Sequence, residues 1–310
     1  LVHGQTTVFP DAGFNPLRTL EVVDKEKCTS LYGTPTMFID VLRNLPEAKK
    51  KNLSVETLQG GYICGAPCPI ALCDRIVNEL NMKNLLILYG STELSPIVTS
   101  TRLEDDPETR LRNVGYALDH VELVVIDDNG VRVPRGTQGE LMARGYNVMR
   151  GYFNDIERTK KDLTADRWYH TGDTALMAED GAIFIVGRSK DMIIRGGENI
   201  YPAEIEQFLF KMDGIADAQV IGVPDDRMGE AVCAWIRPRE GVTNITPEAI
   251  KEYCKGKIAH FKIPQYILIK EEKDFPLTAT GKVKKVDMKH ISMKELGLEQ
   301  VQSHFNVSTK

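Results

Sequence analysis

Two short segments of the chain place a charged side chain beside glycine in a pattern that suits a nucleotide. The first is YHTGD at residues 169–173, which ends in Asp173, and the second is GRSKD at 187–191, which contains Arg188. An aspartate can accept hydrogen bonds from both vicinal hydroxyls of a ribose, and an arginine can bind the same ribose or a phosphate. Taken singly, an aspartate that caps its own backbone and an arginine in a surface ion pair are the simpler interpretations.

A third segment, YGSTE at 89–93, follows an apolar run at 84–88 that is typical of a buried strand. Ligands of α/β sheets bind beyond the carboxyl ends of the strands, so this segment lies where a site is expected. Tyr89 could stack on a base, the Thr92 hydroxyl could donate to a phosphate, and Glu93 could bind Mg²⁺, which prefers oxygen ligands. For this segment alone, a Gly-Ser-Thr turn without function is the alternative.

The fourth segment is PLTATGK at 276–282, a loop rich in threonine that ends in Lys282. An anionic ligand could order such a loop and form an ion pair with the lysine ammonium. The alternative is that the lysine is solvated, as a lone lysine in a loop usually is. Cys64 and Cys68 flank residues 65–67, and a nucleophilic thiol there would need a base that the sequence does not identify. Buried, unreactive thiols are therefore the preferred interpretation.

The composition excludes several classes of protein. The chain has 310 residues, 42% hydrophobic and 27% charged, with a net charge of -5, which is ordinary for a globular protein. It has no long basic run, which disfavours nucleic acid as a partner, and no apolar run of membrane-spanning length. Its six cysteines form no CxxC pair and no cluster with zinc spacing, so we expect reduced thiols and no structural metal.

The spacing of apolar residues predicts an α/β first half and a β-rich middle. The expected elements are a helix around 74–80 and strands at 121–126, 131–133, 139–143 and 182–186. A turn with the sequence DDNG joins the first two of these strands as a hairpin. The middle strands are expected to form a small barrel-like region or a distorted sheet.

After residue 190 the pattern changes to that of a compact α+β unit of about a hundred residues. The expected elements are a strand at 192–194, a tight turn at Gly196 and Gly197, a helix from Pro202, strands at 218–223, 231–236 and 266–269, and a helix with Thr246 as N-cap. The predicted organisation is an α/β large-domain portion at 1–188, a small mobile α+β domain at 189–290 and a loose tail at 291–310.

The order of the four segments identifies a family more strongly than any one of them. YGSTE, YHTGD, GRSKDMIIRGGENIYPAEIE at 187–206 and PLTATGK, in this order, resemble the acyl-adenylate-forming superfamily, which includes acyl-CoA synthetases and luciferase-like enzymes. The resemblance extends over nearly the whole chain. The sequence GGENIYPAEIE is most similar to the fatty-acyl-CoA synthetase branch, and in particular to its mitochondrial medium-chain members, which implies a mitochondrial location.

The resemblance implies that the substrates are a fatty acid, ATP and CoA, with Mg²⁺ accompanying the nucleotide. It implies that Lys282 contacts the reacting carboxylate and the α-phosphate, that Thr92 binds the α-phosphate, and that Glu93 binds Mg²⁺. The other implied nucleotide contacts enclose the adenine or bind the ribose: Gly65, Ala66, Pro67 and Tyr89 for the adenine, and Asp173 with Arg188 for the ribose.

By the same resemblance, the reaction has two halves, which form an acyl-adenylate and then an acyl-CoA thioester. Lys190 lies at the position of the hinge about which the small domain turns between the halves. Gly196 and Gly197 lie on the path of the pantetheine arm of CoA.

One motif of the family is not found in this sequence. The phosphate-binding loop rich in Ser, Thr and Gly does not occur in residues 1–310, so we expect it to precede Leu1 and expect the chain alone to be inactive. Two alternatives stay open. One is an enzyme of the same fold that loads a carrier protein, and the other is a non-catalytic protein that binds a nucleotide.

Overall fold

The computed structural model describes residues 4–278 and 281–301. The described helices are α1 Pro16–Glu26, α2 Pro35–Lys50, α3 Ile70–Glu79, α4 Pro107–Arg110, α5 Ile156–Asp162, α6 Pro202–Phe210, α7 Pro247–Cys254 and α8 Lys285–Glu295. The described strands are β1 Ser30–Gly33, β2 Gly60–Ile63, β3 Asn84–Tyr89, β4 Thr99–Ser100, β5 Tyr116–Ala117, β6 Val121–Ile126, β7 Gln138–Gly145, β8 Tyr169–Met177, β9 Ile183–Arg188, β10 Ile193–Arg195, β11 Glu198–Ile200, β12 Ile215–Asp225, β13 Gly229–Pro238 and β14 Tyr266–Ile269.

None of the described helices could cross a membrane. The longest of them, α2, has 16 residues and carries charged side chains, whereas a spanning helix needs about 20 apolar residues.

The first sheet has the order β1-β2-β3-β4-β5. Strands β1, β2 and β3 run parallel, as expected for α/β connections through α2 and α3, and β4 and β5 continue the sheet antiparallel. The predicted helix and strand are both found here. Helix α3 buries Ile76 and is followed by the buried Leu80, and β3 buries Leu85. The expectation of an α/β first half is confirmed.

A second sheet has the order β6-β7-β8-β9. No pairing closes it between β6 and β9 among residues 4–278 and 281–301, so the expected barrel-like region is an open sheet. The predicted hairpin with 131–133 is present in a short form. Ile126 and Arg132 make an antiparallel bridge, and the Val133 N–H donates to the Val125 carbonyl oxygen at 3.0 Å. In the sheet itself, β6 pairs with the longer strand β7, which matches the strand predicted at 139–143.

The third sheet, of order β11-β10-β13-β12 with β14 beside β13, confirms the predicted α+β unit. One face of this sheet packs on α6 and α7 through a cluster that includes Ile205, Leu209 and Ile250. The other face packs on α8 through Trp235 and Met288. Helix α7 begins as predicted, with the Thr246 hydroxyl accepting a hydrogen bond from the backbone of the third helical residue.

The predicted loose tail starts too early. Helix α8 continues to Glu295, and the fully buried Ser292 hydroxyl accepts a hydrogen bond of 2.7 Å from the Trp235 indole N–H. A buried indole N–H needs such a partner, so Ser292 belongs to the core of the unit, and residues 291–295 are the end of its last helix. Residues 302–310 lie outside the described residues.

The chain divides into two compact units. One contains residues up to Leu123 together with Ala143–Tyr169 and Ala178–Phe184, and the other contains Val124–Met142, His170–Met177 and the residues from Ile185 onward. The boundary predicted between residues 188 and 189 stays a prediction.

Candidate active site

The first sheet brings two of the predicted segments to one edge. Residues 65–67 follow β2, and residues 89–93 begin at the last residue of β3. Because β2 and β3 are parallel neighbours, with Ile63 paired to Ile87, both segments leave the sheet at its carboxyl edge. The side chains predicted to enclose adenine and to bind the α-phosphate are therefore on the same edge: Gly65, Ala66 and Pro67 on one segment, and Tyr89, Thr92 and Glu93 on the other.

The turn after β3 has little freedom. A Cβ on Gly90 would lie 2.0 Å from the Pro96 carbonyl oxygen, so only glycine fits there. Residues Thr92–Leu94 then form a short 3₁₀ turn, and Leu94 is fully buried in a cluster with Val98 and the partly buried Tyr89. Thr92 remains exposed on this anchored turn.

The Glu93 carboxylate is held by the protein on one side. The Tyr152 hydroxyl donates to Glu93 Oε1 at 3.0 Å, and the Met149 backbone N–H donates to the Glu93 carbonyl oxygen at 2.8 Å. Burial raises the pKa of the Glu93 carboxyl, but hydrogen bonds, from its own backbone N–H and from Tyr152, outweigh it and hold this pKa below its usual value. Glu93 is therefore an anion at neutral pH.

This environment fits the Mg²⁺ role that the resemblance implies. Among the described residues there is no group of three or more His, Cys, Asp or Glu side chains that could hold a metal ion. Mg²⁺ that accompanies a nucleotide is usually held by one or two carboxylates, the phosphates and water, so a single partly buried, ionised carboxylate is sufficient.

Sequence reasoning did not find Tyr152. Its hydroxyl also lies 3.2 Å from Asp162 Oδ2, and the Arg158 guanidinium lies 3.9 Å from the centre of its ring. Burial, and next the neighbouring Tyr169 hydroxyl, raise the pKa of Tyr152 well above its usual value, so that it stays a neutral donor. The sequence contains no signal for this contact, because 59 positions separate Tyr152 from Glu93.

The two segments that carry Asp173 and Arg188 meet on neighbouring strands. Arg188 Nε–H donates to Asp173 Oδ1 at 3.0 Å, and Asp173 is buried, with 6% of its surface exposed. YHTGD is part of strand β8, not the loop that would make Asp173 cap its own turn. The Asp173 backbone N–H is instead satisfied by the Thr171 hydroxyl, at 3.1 Å. The structure therefore pairs two residues that the sequence had marked separately.

Glu140 on β7 is a further residue that sequence reasoning missed. One of its carboxylate oxygens accepts the Gly172 backbone N–H at 3.1 Å, and the other lies 3.0 Å from His170 Nδ1. Gly172 has a φ of +68°, which glycine tolerates and other residues rarely adopt. Glu140 thus holds the irregular part of β8 that immediately precedes Asp173.

The residues implied in the second half-reaction lie at exposed turns. Lys190 is exposed within the 3₁₀ turn Ser189–Asp191. Gly196 and Gly197, with φ of +60° and +88°, form the predicted two-residue turn between β10 and β11. The Gly196 N–H donates to the Met228 carbonyl oxygen at 2.7 Å, which ties this turn to the start of β13.

Lys282 lies at the end of a turn closed by backbone hydrogen bonds. The Thr278 N–H donates to the Lys282 carbonyl oxygen at 2.8 Å, and the Lys282 N–H donates to the Thr278 hydroxyl at 3.0 Å. The Lys282 side chain is exposed, and no carboxylate of the described part of the chain lies within ion-pair distance of its ammonium. Ala279 and Thr280 of the same motif lie outside the described residues.

All six cysteines are free thiols. Cys73, Cys233 and Cys254 are buried, as expected, whereas Cys28, Cys64 and Cys68 are half-buried. Cys68 Sγ lies 3.2 Å from Cys73 Sγ, and this contact, followed by burial, raises the pKa of the Cys68 thiol. A protonated thiol is a poor nucleophile, which supports the interpretation that the Cys68 thiol is unreactive.

The fold is that of the class of adenylate-forming enzymes. The sequence profile of the family described as "AMP-binding enzyme" matches residues 1–153, and that of the "AMP-binding enzyme C-terminal domain" matches residues 204–282. The chain belongs to this family.

Similar curated proteins include acyl-CoA ligases and a putative acyl-CoA synthetase. The chain is 48% identical over 298 residues to the mitochondrial medium-chain acyl-CoA ligase ACSF2 of Danio rerio, covering 96% of this chain and 48% of that protein. It is 44% identical over 308 residues to the human protein of the same name, covering 99% and 48%. It is 44% identical over 296 residues to the putative acyl-CoA synthetase YngI of Bacillus subtilis, covering 95% and 53%. The chain thus spans about half the length of the curated relatives it matches.

Solved structures of similar fold include ligand complexes. The anthranilate CoA ligase AuaEII in complex with anthranoyl-AMP matches with a TM-score of 0.83 and 25% identity, over 94% of this chain and 55% of that one. ATP-bound MatB from Rhodopseudomonas palustris matches with a TM-score of 0.78 and 30% identity, over 91% and 54%.

Proposed function

We propose that the protein is an ATP-dependent acid–thiol ligase that converts a medium-chain fatty acid into its CoA thioester. The observation that carries the proposal is the common sheet edge from which residues 65–67 and the anchored turn 89–93 both leave. The segment proposed to enclose the adenine would thus share an edge with the carboxylate proposed for the metal of a nucleotide. The names of the relatives support CoA as the acceptor, a medium-chain acid as the substrate and mitochondria as the location.

In the first half-reaction, a carboxylate oxygen of the fatty acid attacks the α-phosphorus of ATP, and pyrophosphate leaves with the electrons of the broken P–O bond. The 65–67 segment and Tyr89 bind the adenine, and Asp173, oriented by Arg188, accepts hydrogen bonds from the ribose hydroxyls. Thr92 donates to the α-phosphate, and the Lys282 ammonium stabilises the charge that develops there. Binding both reactants makes the attack effectively unimolecular.

Mg²⁺, when bound with ATP, neutralises charge on the phosphates, and Glu93 is the residue of this chain that would hold it. The contribution of the protein is to keep Glu93 ionised and oriented, which the Tyr152 contact provides.

In the second half-reaction, the CoA thiol attacks the acyl carbonyl carbon, a thioester forms, and AMP leaves. Lys190 is proposed as the pivot about which the small domain turns between the two half-reactions. This movement would withdraw the Lys282 turn from the site and bring in the Gly196 and Gly197 turn. Lys282 and both glycines are exposed, and open space lies where a side chain at position 197 would stand, which suits a narrow pantetheine arm.

The test is to incubate the full-length protein with ATP, Mg²⁺, CoA and carboxylic acids of graded chain length, and to detect products by mass spectrometry. We expect acyl-CoA, AMP and pyrophosphate, with medium-chain acids preferred. An acyl-adenylate that forms but is not passed to CoA would contradict the acid–thiol ligase and favour a carrier-loading enzyme. The absence of any adenylate with all acids would refute the activity altogether.

A further inference from the structure

Tyr152 is held rigidly next to the proposed metal-binding carboxylate. Its backbone N–H donates to the Thr159 hydroxyl at 2.9 Å, and the preceding Gly151 has no room for a side chain, because a Cβ would lie 2.7 Å from Thr159 Cγ2. The Arg158 guanidinium covers the ring at 3.9 Å, in a cation–π contact. Both the backbone and the ring of Tyr152 are therefore fixed by the start of α5.

The Tyr152 hydroxyl lies between two carboxylates. Glu93 Oε1 is 3.0 Å away and Asp162 Oδ2 is 3.2 Å away, so one proton is available to two acceptors. Because Oε1 of Glu93 takes part in this contact, Oε2 is the oxygen left to bind a cation. Arg158 Nε lies 3.7 Å from Asp162 Oδ2 and offsets part of the negative charge there. Without the Tyr152 hydroxyl, Glu93 Oε1 would lose its donor, and the carboxylate could turn to another rotamer.

We propose that Tyr152 is a positioning residue that fixes the rotamer of Glu93 and thereby sets the affinity for the divalent cation that enters with the nucleotide. This inference rests on the proposed function, in which Glu93 holds that cation. Residues that orient a metal ligand typically change metal affinity by about 10- to 100-fold when they are mutated.

The test uses Tyr152→Phe in the full-length protein, which removes the hydroxyl and keeps the ring under Arg158. Mn²⁺ binding is measured by electron paramagnetic resonance in the presence of ATP, with no fatty acid present. We expect Mn²⁺ affinity to fall about 10-fold or more, the lower end of the range for residues that orient a metal ligand. The Mg²⁺ concentration for half-maximal activity should rise in proportion, while kcat recovers at saturating Mg²⁺.

Tyr116→Phe is a matched control. The Tyr116 hydroxyl also donates to an aspartate, Asp180, at 3.1 Å, and its ring is also covered by an arginine, Arg102, at 4.1 Å. This second tyrosine–carboxylate contact has no proposed role in the site, so Tyr116→Phe should leave Mn²⁺ affinity unchanged. An equal loss in Tyr116→Phe would overturn the inference, because the effect would not depend on Glu93.

Asp162→Ala distinguishes the positioning of Glu93 by Tyr152 from general damage to the hydrogen bonds that join Glu93, Tyr152 and Asp162. It removes the competing carboxylate, so Glu93 is the one carboxylate left to accept from the Tyr152 hydroxyl, and Mn²⁺ affinity should be kept or increased. If Asp162→Ala weakens Mn²⁺ binding as much as Tyr152→Phe does, the network has only a structural role and the inference is wrong.

Glu93→Gln distinguishes this inference from the function on which it rests. If Glu93→Gln loses Mn²⁺ affinity and Tyr152→Phe does not, the positioning role is refuted and the proposed function stands. If Glu93→Gln itself binds Mn²⁺ normally, the metal role of Glu93 is refuted, and the inference falls with it.

Discussion

The turn at 89–93 and the turn at 276–282 both carry a charged residue that the sequence marks for phosphate chemistry, yet their surroundings differ. Glu93 comes three residues after Gly90, where a side chain would clash, and directly before the fully buried Leu94. Its carboxylate accepts a hydrogen bond from Tyr152. Lys282 extends from a turn closed by its own backbone, and its side chain is exposed. The protein thus fixes the position of the carboxylate, whereas it leaves the side chain of the lysine in solvent.

This difference implies two kinds of mutational effect. Changes around Glu93 should alter both folding stability and nucleotide or metal affinity, because the same contacts serve both. Changes at Lys282 should alter the reaction and leave stability intact. Variants at Lys282 and at Gly90 separate the two kinds of effect when stability and activity or affinity are both measured.

The largest effect is expected for Lys282→Ala. Loss of a cation from the site of developing charge should slow carboxylate-dependent ATP–pyrophosphate exchange by about 10²- to 10³-fold. The free energy of unfolding, measured by thermal denaturation, should change by less than about 0.5 kcal/mol, as at other exposed positions. Lys284→Ala, at an exposed lysine two residues along, is the control and should exchange normally. Unchanged exchange in Lys282→Ala would exclude its role in adenylation.

Asp173→Asn should have the next largest effect. Asparagine keeps an acceptor but removes the charge that strengthens the bonds to Arg188 and to the ribose, a loss of about 1.5–3 kcal/mol, or roughly 10- to 100-fold in ATP affinity. Calorimetry with ATP and with 2′-deoxyATP is the measurement. The variant should discriminate less between the two nucleotides, and full discrimination would disprove the ribose contact.

Gly90→Ala should disturb the turn at 89–93, which holds Glu93 in position. The added methyl group would meet the Pro96 carbonyl oxygen, so the backbone must move, at a cost of about 1–3 kcal/mol in the free energy of unfolding. Urea denaturation measures it, and Gly13→Ala, where no atom lies within 4 Å of the new methyl, is the control. ATP affinity should fall together with stability; a loss of stability with normal affinity would show that the turn is not part of the site.

The smallest effect is expected for Arg188→Lys. The Arg188 side chain is half exposed, and the lysine keeps the charge while it loses the fixed geometry of the Nε bond to Asp173. Half-exposed ion pairs contribute about 0.2–1 kcal/mol, so the KM for ATP should rise at most about fivefold. A larger rise, with stability unchanged, would indicate that Arg188 contacts the nucleotide directly as well as through Asp173.

Much of the secondary structure could be predicted because its signals are local. The apolar run of β3, the Thr246 N-cap of α7 and the glycine pair between β10 and β11 are all found where the sequence indicated. YHTGD could not be recognised as a strand, because Gly172 suggests a turn. Its unusual backbone is accommodated only because Glu140, on another strand, accepts its N–H.

The sequence by itself determined which chemical groups are candidates for the site. Asp173, Glu93 and Lys282 could be singled out because residue type and the order of motifs are properties of the chain. Only the tertiary structure decided their partners, since Arg188 reaches Asp173 through the pairing of β8 with β9, and Tyr152 reaches Glu93 across 59 positions. Such contacts depend on strand pairing and on packing between distant segments, which no local pattern of residues encodes.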